Sequence, residues 1–318
     1  MADLKTSVKD LVTAATSEVD PKALRSKVEA VLGAFDDAEA KPRAAAVKAI
    51  GDALGKVQGR GAQVLALALG ALVEGGASPE AAWPAASKGL AAILEQATAF
   101  AHAAVATSGE EELEHALEKS GAAVAAKMPA EGAAWKAVPA RCLAAVACLT
   151  RSKEARAMAR DEGELADAAW SLSDAIAEVG ALLAAIDVLD DATILVVDGK
   201  QGWRVRVEGL STNAELYLLL ADLLKKKVDA KVLAAVRAGE TPKKKNVVVP
   251  FSLGLDPHDA PAEIPLHRKS KERVVHVTAG ATKIDLTHLP VLDGLVPRAE
   301  IVGPLPAATL KKLTPRSS

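Results

Sequence analysis

Apolar residues recur every three or four positions through the first 186 residues of the chain, which is the period of an amphipathic helix. One such stripe consists of Leu24, Val28, Val31, Leu32 and Phe35. The pattern predicts about eight helical segments. Residues 60–74 are apolar nearly all round, so we expect them to form the central helix of a bundle. No shared motif recurs at the spacing of a helical repeat, which favours a bundle over a solenoid.

Several of these helices have recognisable starts or interruptions. Ser78 precedes a proline and is a candidate N-cap, and Ser108 with Glu111 three residues later forms a capping box. An interior proline costs about 3 kcal/mol unless it lies in a first turn. Pro84 and Pro139 are therefore predicted to mark kinks or helix boundaries.

The pattern changes near residue 192 from helical to alternating. Residues 193–197 are β-branched and aliphatic, and residues 198–202 have turn chemistry. In the next segment apolar and charged positions alternate, with Trp203, Val205 and Val207 between Arg204, Arg206 and Glu208. A period of two places the two sets on opposite faces of a strand. We therefore predict a β-hairpin whose second strand turns its apolar face to the core and its arginines outward.

A helix is predicted to follow this hairpin and to lie across it. Thr212 with Glu215 is a capping box, and leucines recur at helical spacing at positions 216, 219, 220 and 223. Asp229 is a candidate cap for a second, shorter helix that ends near Gly239.

The remaining chain predicts short strands at residues 246–251 and 273–278 and near 300–302, separated by loops rich in proline and glycine. Gly303 to Ser318 contain little to bury, which predicts a flexible tail. Together these patterns predict an α+β two-domain protein. Its parts are an all-α helical bundle (1–188), a smaller α+β domain with a β-hairpin and packed helix (189–302), and the tail (303–318).

Charge separates the two halves of the chain. Residues 1–186 contain 19 Lys+Arg and 25 Asp+Glu, net −6, whereas residues 187–318 contain 20 and 16, net +4, for a total of −2. A charge run is often only a solvated surface. The alternative is a docking face for a protein with an acidic surface or for another anion. The candidate partner-binding residues are Arg204, Arg206, Lys243, Lys244, Lys245, Arg268 and Lys269.

Other partners and locations are less well supported. A slightly acidic chain with one tyrosine and three phenylalanines lacks the aromatic platform that single-stranded nucleic-acid binders use. The longest apolar tract, residues 64–73, is shorter than the ~20 residues that span a bilayer.

Cys142 and Cys148 cannot pair within a helix, which favours a reducing, cytoplasmic setting. We expect no membrane or nucleic-acid partner; homo-oligomerisation stays open, and the abundant alanine is typical of GC-rich bacterial genomes.

Metal chemistry is the main catalytic alternative. Four of the six histidines fall within one short span of the second half, namely His258, His267, His276 and His288. Their spacing matches no known ligand motif. Glu112 and His115 have the Glu-x-x-His spacing of di-iron bundles, but the required second pair is absent.

Other catalytic signatures are absent from the sequence, which has no nucleophile elbow, phosphate-binding loop or dinucleotide fingerprint. Cys142 lies among aliphatic residues and is predicted to be inert core. No metal or cofactor is assigned. The sequence favours a non-catalytic binding or scaffolding protein whose C-terminal domain docks an acidic protein or other anion. The alternative is a metal-dependent hydrolase that uses the histidines of that domain.

Overall fold

The computed structural model describes residues 3–17, 20–261, 264–266, 272–288, 292 and 294–313. The chain divides into two compact units, Met1–Ile186 and Asp187–Ser318, which we call the N-terminal and C-terminal units. Helices fill the first, and a small sheet with helices forms the second. The predicted α+β two-domain class is confirmed.

The described residues of the N-terminal unit form eleven helices. They are α1 (Leu4–Thr16), α2 (Pro21–Asp36), α3 (Ala40–Leu54), α4 (Gly59–Glu74), α5 (Pro79–Ser87), α6 (Leu90–Ser108), α7 (Leu113–Lys127), α8 (Pro129–Arg151), α9 (Lys153–Asp161), α10 (Gly163–Trp170) and α11 (Ala177–Ile186). Some are joined by a single residue, as α8 and α9 are by Ser152. Apolar periodicity does not separate such neighbours, which is why the sequence predicts fewer helices.

The centre of this unit is α8, not α4 as the sequence predicts. Helix α8 packs against α4, α5, α6, α7, α9 and α11. Alanine and glycine allow α4 and α8 to approach closely, because a Cβ added to Gly70 of α4 would lie 3.3 Å from the Cα of Ala144. Although α4 is apolar nearly all round, its Leu67 is 46% exposed. Apolar composition therefore identifies a core helix but not the central one.

Two helices of the described chain, α6 and α8, are long and apolar enough to cross a membrane. In α8, 61% of the apolar window is buried inside the protein, against 33% in α6. The core helix of a soluble protein meets the same criteria, so this finding is weak evidence for a membrane location.

The predicted helix signals have mixed outcomes. The hydroxyl of Ser78 accepts a hydrogen bond from Ala81 N at 3.1 Å, as expected of an N-cap. The capping box at Ser108 is wrong, because α6 continues to that residue and Gly109 then ends it in a left-handed conformation. Both interior prolines lie within continuous helices, one in α5 and one in α8, and neither is a boundary.

Buried arginines satisfy the carbonyl groups at helix ends in this unit. The Nη2 of Arg141 donates to Lys88 O at 2.6 Å and to Ala86 O at 3.2 Å, where α5 ends. The Nη1 of Arg156 donates to Leu149 O at 2.5 Å, in the last turn of α8. The last carbonyls of a helix have no partner within it, so these arginines supply the missing donors.

The C-terminal unit contains two sheets, three α-helices and a 3-10 helix (Leu286–His288) among its described residues. The elements are β1 (Ala192–Asp198), β2 (Gln201–Glu208), α12 (Asn213–Leu223), α13 (Ala230–Arg237), β3 (Asn246–Val249), β4 (Arg273–Val277), β5 (Thr282–Asp285), β6 (Arg298–Pro304) and α14 (Ala307–Leu313). The larger sheet has the order β4-β1-β2-β6, in which β4 is parallel to β1 and the other pairs are antiparallel. Strands β3 and β5 form the smaller, antiparallel sheet.

The predicted hairpin and helix are present. Strands β1 and β2 are joined by Gly199 and Lys200 alone. The capping box is complete, with the hydroxyl of Thr212 accepting from the N–H of Glu215 and the carboxylate of Glu215 accepting in return. The inner face of β1 and β2 forms one core with α12, α13 and the smaller sheet.

The flexible tail predicted for residues 303–318 is wrong for residues 303–313, and residues 314–318 lie outside the described part of the chain. Gly303 and Pro304 end strand β6, and residues 307–313 form α14. The cause is a set of three leucines in a segment that has no other large apolar residue. Leu305, Leu310 and Leu313 pack against Leu195 and Val197 on the outer face of the larger sheet. Local composition predicts a tail, but the sheet supplies an apolar surface to bury these leucines.

Candidate functional site

The exposed row of β2 is where the sequence places its partner-binding arginines, and the structure agrees about which way they face. Val205 and Val207 are fully buried, and Trp203 packs partly buried against the same core. Arg204 and Arg206 lie on the opposite face, with about half of each side chain exposed. The predicted register of this strand is therefore confirmed.

Each of these arginines is held by a carboxylate. The Nη2 of Arg204 lies 3.0 Å from the Oε1 of Glu272, and the Nη2 of Arg206 lies 2.6 Å from the Oδ1 of Asp191. The hydrogen bond that Arg206 donates to Asp191 raises the pKa of Arg206 above its usual value. The carboxylates orient the two guanidinium groups and match their charge one for one, and the negative charges of Glu300 and Glu208 also raise the pKa of Arg206. The face is thus ordered, and its potential is weaker than the sequence indicates.

The basic loop before β3 lies beside a cavity. Lys243 and Lys244, with Lys231 of α13, line a cavity of about 660 Å³. The Nζ of Lys244 lies 2.8 Å from the Oδ2 of Asp229 and lowers the pKa of that carboxyl. Lys245 is exposed and accepts a backbone hydrogen bond from Leu286.

The predicted basic residues do not converge on one cavity. Arg206 lines a separate cavity of about 590 Å³ beside β6, together with Arg237, Arg298 and two glutamates. Arg268 and Lys269 lie outside the described residues. The described part of the site therefore consists of an arginine row on β2 and a lysine loop before β3.

The sequence does not reveal the apolar half of the same sheet face. In the register of the sheet, Leu195 pairs with Arg204, and Val197 pairs with Gly202. The outer face therefore carries leucine and valine on β1 directly beside the arginine row on β2. Leu305 precedes α14, and Leu310 and Leu313 belong to it. These three leucines cover only the apolar half of the outer face. Strand pairing was the missing information, because alternation within one strand does not identify its neighbour.

The histidines do not form a metal site among the residues that the structure describes, where no group of three potential ligands occurs. His258 is exposed in a loop, and His276 lies on β4 opposite Val197. His267 lies outside the described residues, as does the side chain of His288. In the N-terminal unit Glu112 and His115 contact each other at 3.3 Å, but both are mostly exposed. They therefore do not project into the bundle as di-iron ligands do.

Other titratable groups of interest are buried. Burial raises the pKa of the thiols of Cys142 and Cys148 to about 12, so both stay protonated and are poor nucleophiles, as predicted for Cys142. Burial also raises the pKa of the Glu215 carboxyl to about 7, against the opposing effect of hydrogen bonds from Ser211 and Thr212. The capping box was predictable from the sequence, but this burial was not.

No protein family, curated protein or solved structure matches the chain.

Proposed function

We propose that this protein is a non-catalytic binding or scaffolding protein whose C-terminal unit docks an acidic segment of a partner protein. The proposal depends mainly on one observation. Arg204 and Arg206 project from the same face of a sheet strand, half-exposed, and each is oriented by a carboxylate. Charged groups held on a rigid strand recognise a partner more specifically than the same charges on a flexible segment.

The chemistry of the guanidinium group suits an acidic partner. Arginine presents donors in a planar fork that matches a carboxylate, and one guanidinium can contact more than one carboxylate. Glu272 and Asp191 each engage Nη2. A partner carboxylate can approach the exposed remainder of each group. Because the row is solvent-exposed, binding should weaken as ionic strength rises and the Debye length shortens to about 8 Å.

The remaining parts of the proposal follow from composition. An acidic N-terminal half would repel phosphates, so nucleic acid is not the expected partner. The unpaired, buried thiols of Cys142 and Cys148 agree with a reducing, cytoplasmic setting. The lysine loop before β3 lies beside another cavity and is a secondary contact in this proposal.

The test uses full-length protein and a fluorescein-labelled peptide of alternating glutamate and leucine, with binding followed by anisotropy at low and high salt. The double variant Arg204→Glu/Arg206→Glu should bind at least about tenfold more weakly, which corresponds to about 1.4 kcal/mol. Folding should change little, because exposed ion pairs contribute only about 0–1 kcal/mol each.

The matched control is Lys225→Glu/Lys227→Glu, which changes the charge of the same unit equally at two other exposed positions. It should alter binding less than about twofold if position matters more than net charge. Equal losses in the two double variants would mean that the peptide senses only net charge, and the arginine row would not be a docking site.

A further inference from the structure

Trp170 is the most exposed large apolar residue in the described part of the chain, at 72%. It is the last residue of α10, which buries Leu165, Ala168 and Ala169 and packs against α6, α9 and α11. The buried face of this short helix therefore does not include the indole. Because single exposed apolar residues are common on protein surfaces, the neighbours of Trp170 decide whether it has a function.

The exposed face of α10 combines this indole with two carboxylates. Glu164, Asp167 and Trp170 follow one another at intervals of three residues, and all three are exposed. Positions three apart are neighbours on a helix surface. Among the residues that the structure describes, none of these side chains has a hydrogen bond, an ion pair or a ring contact. We call these three residues the α10 face.

The chain around the α10 face is acidic throughout. Residues 161–178 contain six acidic residues and no lysine or arginine, so this segment has as many negative charges as the net −6 of residues 1–186. Other exposed carboxylates of the unit are paired, as Asp52 is with Lys48. None of the six forms an ion pair within the described part of the chain. The α10 face therefore keeps a negative potential that ion pairing does not offset.

We propose that the α10 face binds an arginine-bearing segment of a partner protein. The guanidinium group stacks on the indole of Trp170 and donates hydrogen bonds to the carboxylate of Asp167. This surface belongs to the N-terminal unit and is independent of the arginine row on β2. The protein would therefore hold partners of opposite charge on its two units.

The chemistry of arginine suits this combination of side chains. A cation over the face of a tryptophan is attracted by the ring, and the planar guanidinium stacks there while its edge still donates hydrogen bonds. Side chains three positions apart on a helix have Cβ atoms about 5–6 Å apart. One guanidinium can thus contact Trp170 and Asp167 together. Arginine and tryptophan are also the residues that most often dominate the binding energy of protein interfaces.

Helix stability accounts for only one of the three residues. Glu164 lies in the first turn of α10, where the positive end of the helix dipole favours a carboxylate. Asp167 begins the last turn, where the dipole disfavours a carboxylate. Trp170 gains nothing from burial. Asp167 and Trp170 therefore support the assignment, and Glu164 adds attraction at longer range.

The charges also select among possible occupants. An apolar partner surface would cover the indole but would remove the adjacent carboxylates from water without pairing them, which is unfavourable. An acidic partner would be repelled. A segment with arginine satisfies the carboxylates and the ring at once, so charge complementarity favours it.

The experiment uses full-length protein and labelled peptides. The first peptide is alanine with arginine at every fourth position, and binding is followed by anisotropy. A second peptide has lysine in place of arginine. A third has citrulline, which keeps the planar shape of the arginine head group and has no charge.

Four variants separate the ring from the charge. Trp170→Ala removes the ring, and Trp170→Phe keeps an aromatic face. Asp167→Asn removes one charge from the α10 face. Glu118→Gln is the matched control, because it removes one charge at an exposed position of α7 in the same unit. All of these positions are exposed, so circular dichroism should show unchanged folding.

The wild type should bind the arginine peptide more tightly than the lysine peptide and should not bind the citrulline peptide. Trp170→Ala should weaken binding of the arginine peptide at least about fivefold, and Trp170→Phe should weaken it less. Asp167→Asn should weaken it at least about threefold, against less than about 1.5-fold for Glu118→Gln.

Tryptophan fluorescence gives a direct readout of contact with the ring. Trp83 is buried, and Trp135 and Trp203 are partly buried, so acrylamide should quench Trp170 most strongly. The arginine peptide should protect the wild type from quenching. The same peptide should have no such effect in Trp170→Ala.

Several results would overturn the proposal. These are absence of binding to the wild type, unchanged binding in Trp170→Ala, and equal losses in Asp167→Asn and Glu118→Gln, which would mean that the peptide senses net charge alone. Equal binding of the citrulline peptide would also overturn it, because the contact would then not depend on charge. Self-association in sedimentation that Trp170→Ala abolishes would instead assign the α10 face to a second copy of this chain.

Discussion

Arginine side chains have different partners in the two units. In the N-terminal unit, Arg141 and Arg156 are 5% and 4% exposed and donate to backbone carbonyls at helix ends. In the C-terminal unit, Arg204 and Arg206 stand half-exposed on a strand and contact carboxylates. The first pair completes the backbone hydrogen bonding of helices, and the second pair stays half-exposed to solvent.

This difference has a physical origin. A helix end leaves carbonyls without partners, and a long side chain with several donors can reach them from a neighbouring helix. A sheet satisfies its backbone internally between strands, so arginine on its exposed face is not needed for folding. Net charge alone does not distinguish these uses. Counting basic residues therefore misses whether they are structural or accessible.

The largest effect should come from placing a charge on the inner face of β2. Val205→Asp buries an unpaired carboxylate in the core of the C-terminal unit, which should cost more than about 4 kcal/mol and unfold that unit. Arg204→Asp changes the adjacent, outward position and should cost less than about 1 kcal/mol. Urea unfolding followed by circular dichroism measures both. The reverse ranking would contradict the register of the strand.

The next effect compares the two kinds of arginine directly. Arg141→Met leaves the carbonyls of Ala86 and Lys88 without this donor in a buried site, and we expect a loss of about 3 kcal/mol. Arg206→Met removes an exposed ion pair and should cost less than about 1 kcal/mol. Thermal unfolding of the two variants gives the comparison. Similar losses would mean that the arginines of the two units do not differ in role.

A smaller effect concerns pH and Glu215, whose carboxyl accepts hydrogen bonds from Ser211 and Thr212. Its pKa is about 7 in the folded chain, above the ordinary value of 4.5. The folded chain therefore binds this proton more tightly than the unfolded chain does. The stability that the proton contributes is fully present below pH 4.5 and is lost as the pH rises through 7. We expect the free energy of unfolding to fall by at most about 2 kcal/mol between pH 5 and pH 7.

The variant Glu215→Gln should flatten this pH profile, because the amide keeps an acceptor oxygen and cannot ionise. Glu240→Gln, at an exposed position of the same unit, is the control and should keep the wild-type slope. Urea titrations at a series of pH values would test the pair. A wild-type slope in Glu215→Gln would assign the pH dependence to another group.

Local signals in the sequence were sufficient for much of the C-terminal unit. The alternation around Val205, the capping box at Thr212 and the cap at Asp229 all depend on residues within a few positions of one another. Strand β5 was not predicted, because Ile284 is its only aliphatic residue, whereas the equally short β3 has three consecutive valines. The parallel pairing of β4 with β1 was not predicted either, because it joins segments about 80 residues apart in the chain.

The candidate site, too, was predictable only as far as it depends on residues close together in the chain. Alternation identified Arg204 and Arg206 as outward-facing, but their partners Glu272 and Asp191 come from distant or irregular segments. The assignment of residues 303–313 to a flexible tail was wrong for a related reason. Three leucines are a weak signal by themselves, and their burial depends on Leu195 and Val197, more than a hundred residues earlier.

The sequence by itself determined the class of the protein, the reversal of charge between its halves, and the two faces of β2. These properties follow from composition and from the periods of helix and strand, which are local in the chain. Only the tertiary structure decided which helix is central, which carboxylates hold the arginine row, and what covers the apolar half of the sheet. Each of these depends on contacts between distant segments, and periodicity carries no information about which segments meet.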